Sequence, residues 1–168
     1  MVEREQCFLS TGKNHMNIKN FKHCTQIKVR NYEIDWQGIV HNANYLLYFE
    51  IARVQYFHDI GAGLDEKSVN TNAKIVLVRH EINYKTSARF GDTLNVYSRI
   101  SAIKNTSFIC EGMMENTKTK TLVAENVAFH VWLNPQTDKS LRVPDEFRKS
   151  IQKYEGDNCV IEWGKIEA

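Results

Sequence analysis
One stretch of the chain concentrates residue types that do chemistry: Tyr32-Glu33-Ile34-Asp35-Trp36-Gln37-Gly38-Ile39-Val40-His41-Asn42-Ala43-Asn44-Tyr45, followed by Tyr48-Phe49-Glu50 and Arg53. It runs from a strand-like segment through a glycine turn into a helix-length apolar segment. A carboxylate just ahead of a helix, as Asp35 is, lies close to backbone N–H groups that have no intrahelical acceptor and carry partial positive charge. Such a corner stabilises an anion. Thioester hydrolysis asks for little more: a donor for the carbonyl oxygen as it becomes an oxyanion, and a carboxylate that attacks or deprotonates water. Taken alone, the D-x-x-G-x-V pattern is weak, and a loop Asp that caps the following helix is the competing reading of Asp35. Asn42 has the same alternative as an N-cap, and His41 reads as a surface or partly buried histidine or as a catalytic one.

The elements that must hold these residues follow from periodicity. Ile27 and Val29 alternate with Lys28 and Arg30, which predicts a strand with one wet face from Thr25 onward. Asn42 to about His58 contains no Gly or Pro and predicts a helix, ended by Gly61 and Gly63, with His41 or Asn42 near its cap. Tyr45, Phe49, Ala52 and Tyr56 form one stripe, but Leu46, Leu47, Ile51 and Val54 make the remainder almost as apolar, so the helix is expected to be buried. Strand-like runs follow over Lys74–Tyr84, Thr93–Ile103, Thr106–Glu115 and Thr121–Leu133, joined by short polar turns that favour an antiparallel meander. A last helix starts at Pro144, with Asp145 and Glu146 in its first turn. One long helix among consecutive strands is an α+β pattern in which the sheet must wrap the helix. A single layer leaves a face and edges uncovered, so self-association is expected.

With 168 residues, 42% apolar and 25% charged, the chain suits one globular domain over 25–154, with a polar extension over 1–24 and a tail over 155–168. Met16 offers an internal start within the extension. A net charge of +2 with interspersed signs gives no nucleic-acid groove. Cys7, Cys24, Cys110 and Cys159 are too scattered for a zinc site or a disulfide framework and are expected to be reduced, buried thiols. His80 and His130 fall in strand patterns and read as satisfied sheet residues, with no metal site built from them. No export signal and no run near the roughly 20 apolar residues of a membrane span is visible, which points to a cytoplasmic protein.

In combination the motifs become specific. DWQGIVHNANYLLYFEIAR resembles the hotdog-fold thioesterases of the hydroxybenzoyl-CoA thioesterase type and their bacterial acyl-CoA relatives. Ala88-Arg89-Phe90-Gly91-Asp92-Thr93-Leu94 looks like the family's GD-x-L hairpin, and Arg142-Val143-Pro144 like its closing R-x-P, so the similarity spans roughly Thr25 to Tyr154.

The resemblance implies a hotdog fold, a curved antiparallel sheet around one long helix, and hydrolysis of an acyl-CoA, or less readily an acyl carrier protein thioester, to a free acid and a thiol without cofactor or metal. Asp35 would be the nucleophile or the general base, and the backbone N–H of Asn42 would polarise the thioester carbonyl. Many relatives carry a His where Asn42 stands; here the His is one position earlier, at His41, and Asn42 is the stronger candidate. Gly38, Tyr45, Tyr48, Glu50, Lys85 and Arg89 would flank the substrate, Tyr45 and Tyr48 at the acyl end and Lys85 and Arg89 at the CoA phosphates. Glu50 also reads as the partner of Arg53 one turn on. The family implies dimers that pair into tetramers. Two other readings stay open: a hotdog dehydratase or hydratase, whose motifs are not seen, and a binding protein that keeps the fold without turnover. No G-x-S-x-G elbow supports a serine hydrolase.

Overall fold
The computed structural model describes residues 16–62 and 74–163. Strand β1 (His23–Lys28) leads through a 3-10 turn at Asn31–Glu33 and a tight loop into helix α1 (Asn42–Asp59). Strands β2 (Lys74–Tyr84), β3 (Thr93–Ile103), β4 (Ser107–Asn116) and β5 (Leu122–Leu133) follow, then helix α2 (Asp145–Glu155) and the short strand β6 (Val160–Ile161). The sheet order is β1-β3-β4-β5-β2, antiparallel throughout, with β6 added parallel to β3. The meander over β3, β4 and β5 forms because each run alternates buried and half-exposed positions, so only one register puts the apolar set on a single face.

That face packs on α1. Near the start of the helix, Tyr45, Tyr48, Phe49 and Ala52 meet Leu94, Val96, Met114 and Ala124. Toward its end, Tyr56 and Phe57 join Ile100, Phe108, Trp132 and, from α2, Phe147 and Ile151. Each large apolar side chain buried in this way contributes about 1.5–3 kcal/mol. Arg148 of α2 is fully buried, and its guanidinium donates to the carbonyls of Val143, Lys104, Asn105 and Glu162, which fastens the last helix over the second cluster.

Several expectations change. β1 begins at His23, and Phe21 ahead of it stacks edge-on against Tyr97, while β6 beyond residue 154 pairs with β3; packing therefore continues past 25–154 on both sides. Helix α1 is not buried all round: Leu47, Ile51 and Val54 are 57%, 51% and 56% exposed, because one curved sheet covers only one side of a helix. Of the cysteines, Cys110 and Cys159 are buried, and burial pushes both thiols up to about 12, but Cys24 is exposed; Cys7 lies outside the described residues. His80 is satisfied by Asn126, whereas His130 is buried with neither ring nitrogen bonded among the described residues, its ring stacked on Phe108 at 4.9 Å.

Candidate active site
Asp35 occupies a tight hairpin between the 3-10 turn and α1. Ile34 bridges Val40, the Asp35 N–H donates to Ile39 O at 2.9 Å, and the Gly38 N–H closes the turn on Asp35 O at 3.0 Å. Gly38 has φ of 75°, a left-handed conformation that a side chain would strain. The Asp35 carboxylate accepts the Gln37 N–H on Oδ1 at 2.8 Å, which orients it and leaves Oδ2 without a donor among the described residues. Asp35 is therefore not the helix cap. That role belongs to His41, whose Nδ1 accepts the Ala43 N–H at 3.2 Å. Asn42 becomes the first helical residue, where an N–H has no acceptor within the helix. Its carbonyl accepts the Tyr84 hydroxyl at 3.2 Å.

Asp35 and Asn42 open into one cavity of about 300 Å³, walled also by Gln37, Ile39, Val40, Tyr45, Tyr84, Lys85, Thr86 and Ser87. Of the residues expected from sequence, it brings together Asp35, Asn42, Tyr45 and Lys85. Gly38 and His41 shape the turn and the cap without lining the cavity. Arg89 stands beside it, with Nη1 at 3.5 Å from Gly38 O. Tyr48 is 1% exposed and donates to Glu33 Oε2 at 2.8 Å, and Glu50 pairs with Arg53 on the helix; neither lines the cavity.

Tyr84, Thr86 and Ser87 carry no signal in the sequence. Their approach to residue 35 depends on where the end of β2 lies relative to the start of α1, across more than forty residues of chain, and no local pattern encodes it. The Tyr84 and Tyr45 rings meet edge to face at 5.3 Å, forming an aromatic wall. Burial raises the Tyr45 phenol above its ordinary pKa, and its oxygen accepts the Ala88 N–H at 3.1 Å, so this wall is also the joint between α1 and the segment after β2. Lys85 pairs with Glu125 at 3.1 Å on the cavity's rim. Among the described residues no group of His, Cys, Asp and Glu is arranged to hold a metal ion.

A carboxylate, an amide-lined helix start and an apolar wall on one curved sheet around one helix define a hotdog-fold hydrolase of the α+β class. The chain belongs to the thioesterase-like superfamily, whose family model matches residues 29–151, and it is a thioester hydrolase of that family. It is 28% identical over 134 residues to the long-chain acyl-CoA thioesterase FadM of Escherichia coli, covering 77% of this chain and 96% of that protein. It is 26% identical over 132 residues to the chloroplastic acyl-acyl carrier protein thioesterase ATL3 of Arabidopsis thaliana, covering 79% of this chain and 68% of the relative. Among solved structures, a thioesterase from Thermus thermophilus complexed with coenzyme A and Zn superposes with a TM-score of 0.72 at 26% identity, over 83% of this chain and 98% of the other.

Proposed function
We propose that this chain hydrolyses acyl-CoA thioesters in the cytoplasm, with Asp35 and the Asn42 N–H as the acting groups. The convergence of a hairpin carboxylate and the first turn of α1 on one cavity carries this reading. The thioester carbonyl oxygen sits against the Asn42 N–H, which takes up the negative charge as the carbon becomes tetrahedral. Asp35 acts in one of two ways. As nucleophile, its oxygen adds to the carbonyl carbon, the C–S bond breaks, CoA leaves as thiolate, and water hydrolyses the resulting anhydride. As general base, it takes a proton from water while the hydroxide adds, and that proton passes to the departing sulfur. Both routes give a carboxylic acid and CoA.

The Tyr45 and Tyr84 rings receive the start of the acyl group, while Lys85 and the exposed Arg89 stand where the phosphates of CoA enter. Charge-assisted contacts of this kind are individually replaceable. The named relatives act on two carriers, acyl-CoA and acyl carrier protein, and CoA is the carrier proposed here. A panel of short, long and aromatic acyl-CoAs, with acyl carrier protein thioesters alongside, tests this by thiol release. Asp35→Asn is expected to lose about 10²–10⁴-fold in kcat while remaining folded. Absence of thiol release from every substrate by the folded wild type overturns the proposal.

We also infer that the protein works as a dimer. The exposed apolar stripe of α1 and the open edge at β2, where Leu77 and Val78 are 42% and 59% exposed, each offer a second copy apolar surface.

A further inference from the structure
We propose that Glu33 is a positioning residue that fixes Asp35 relative to the start of α1, an inference that rests on the thioesterase reading of that site. Glu33 is gripped at two places. Its backbone carbonyl accepts the His41 N–H at 2.9 Å and the Asn44 side-chain amide at 2.8 Å. Its carboxylate Oε2 accepts the Arg30 N–H at 2.6 Å and the Tyr48 hydroxyl at 2.8 Å. Asn44 and Tyr48 are four residues apart and so lie one above the other on the same face of α1.

One helix thus holds Glu33 by carbonyl and carboxylate, while Asp35 is only two residues further along the chain, beyond Ile34, which bridges Val40, and its own N–H is tied to Ile39 O. The hairpin cannot slide along the helix axis without breaking these bonds together. The stake is large, because a misplacement of about 1 Å between reacting groups costs on the order of 10²-fold in rate. Tyr48 is well suited to holding Glu33 in place. It is almost wholly buried, and burial together with the neighbouring Glu33 carboxylate raises its pKa, so the phenol keeps the proton it donates.

The test compares Glu33→Ala, Glu33→Gln, Tyr48→Phe, the Glu33→Ala/Tyr48→Phe pair and Asp35→Asn in steady-state thiol release. Glu33→Ala is expected to lower kcat by about 10- to 100-fold with KM changed less than about threefold, the signature of misplaced chemistry and intact binding. Glu33→Gln, whose amide oxygen still accepts from Tyr48, should restore kcat to within about threefold of wild type, and Tyr48→Phe should add little to Glu33→Ala, as groups acting as one unit do. The inference is overturned if Glu33→Ala keeps its kcat while Asp35→Asn loses it, if Glu33→Gln is as impaired as Glu33→Ala, or if the two losses multiply in the pair. Should Glu33→Ala fail to fold, Glu33→Gln and Tyr48→Phe decide: near-normal kcat in the first with a clear loss in the second supports the clamp, and any other pattern overturns it. If Asp35→Asn itself retains wild-type turnover, the site reading falls, and that failure is distinct from the failure of the clamp.

Discussion

Gly112→Ala tests how tightly the sheet is closed against α1. Gly112 lies on β4 between Ser98 of β3 and Asn126 of β5, on the face turned toward the helix. A Cβ there would stand 2.3 Å from Asn126 Oδ1 and 2.8 and 2.9 Å from two ring carbons of Phe49. Neither neighbour yields easily: Asn126 Nδ2 donates to His80 Nε2 at 2.7 Å, and Phe49 is 2% exposed within the first core cluster. Overpacking costs about 1–3 kcal/mol. If the Asn126 amide swings away, the lost hydrogen bond adds about 1 kcal/mol. Against this, alanine stiffens the unfolded chain and returns about 0.4–1 kcal/mol. The net expectation is a loss of about 2 kcal/mol, or a drop in Tm of about 4–8 °C for a chain of this size. Urea unfolding followed by tryptophan fluorescence should show a lower midpoint with an unchanged slope. Because the closest atom belongs to Asn126, the loss in Gly112→Ala/Asn126→Ala should fall short of the sum of the single losses by at least about 0.5 kcal/mol. A Gly112→Ala protein as stable as wild type, or strict additivity with Asn126→Ala, refutes this account of the packing.

Two further outcomes follow from groups outside the site. Burial, and after it the Arg53 charge, depress His130 to about 3, so the native state stays neutral at a pH where the unfolded chain takes up a proton. Stability is unaffected above about pH 6.5 and is lost as pH falls below it, at up to about 1.4 kcal/mol per unit, until the native ring titrates. His130→Phe, which keeps the stack on Phe108, should lose less stability than wild type between pH 7 and pH 5 in parallel urea titrations; an identical pH dependence refutes the assignment. On the outer stripe of α1, Leu47→Glu and Ile51→Glu should each weaken self-association by about tenfold or more in light scattering at micromolar concentration. A wild-type monomer under those conditions would instead remove the dimer.

The elements are legible in the sequence because they are local. The expected spans Lys74–Tyr84 and Thr93–Ile103 coincide with β2 and β3, and β4 and β5 differ by a single residue at each displaced end, since alternation and turn residues lie within each run. That Asp35 and Asn42 lie close enough to share one cavity is legible for the same reason: hairpin, glycine and helix start are contiguous. What the sequence hides depends on distant partners. Tyr84 reaches Asn42 only because β2 ends beside the start of α1, and Glu33 resembles an ordinary polar residue because its grip comes from Asn44 and Tyr48 around the turn. Arg148 is the fully buried donor to the carbonyls of Val143, Lys104, Asn105 and Glu162, a set drawn from separate stretches of chain that no local pattern encodes. His130, expected to find a partner, sits opposite Phe108 and Leu77, neither of which offers a side-chain acceptor.

Helix α1 shows how one segment serves three demands. Its inner face, with Tyr45, Phe49, Ala52 and Tyr56, closes the sheet; its start has His41 as cap and Asn42 as the first helical residue, the group proposed to meet the carbonyl; and its outer face leaves Leu47, Ile51 and Val54 exposed, the stripe proposed to meet a partner. Because these faces are set by the 3.6-residue period, neighbouring positions in sequence belong to different functions. Leu47 and Tyr48 illustrate the point. The first is 57% exposed, so its replacement is expected to act on the proposed assembly, whereas the second is 1% exposed and bonded to Glu33, so its replacement is expected to act on the proposed clamp. The near-uniform apolarity of this helix, which suggests burial on all sides, is therefore the sum of a core stripe and an outer stripe that stays exposed in the single chain, the surface on which the proposed dimer rests.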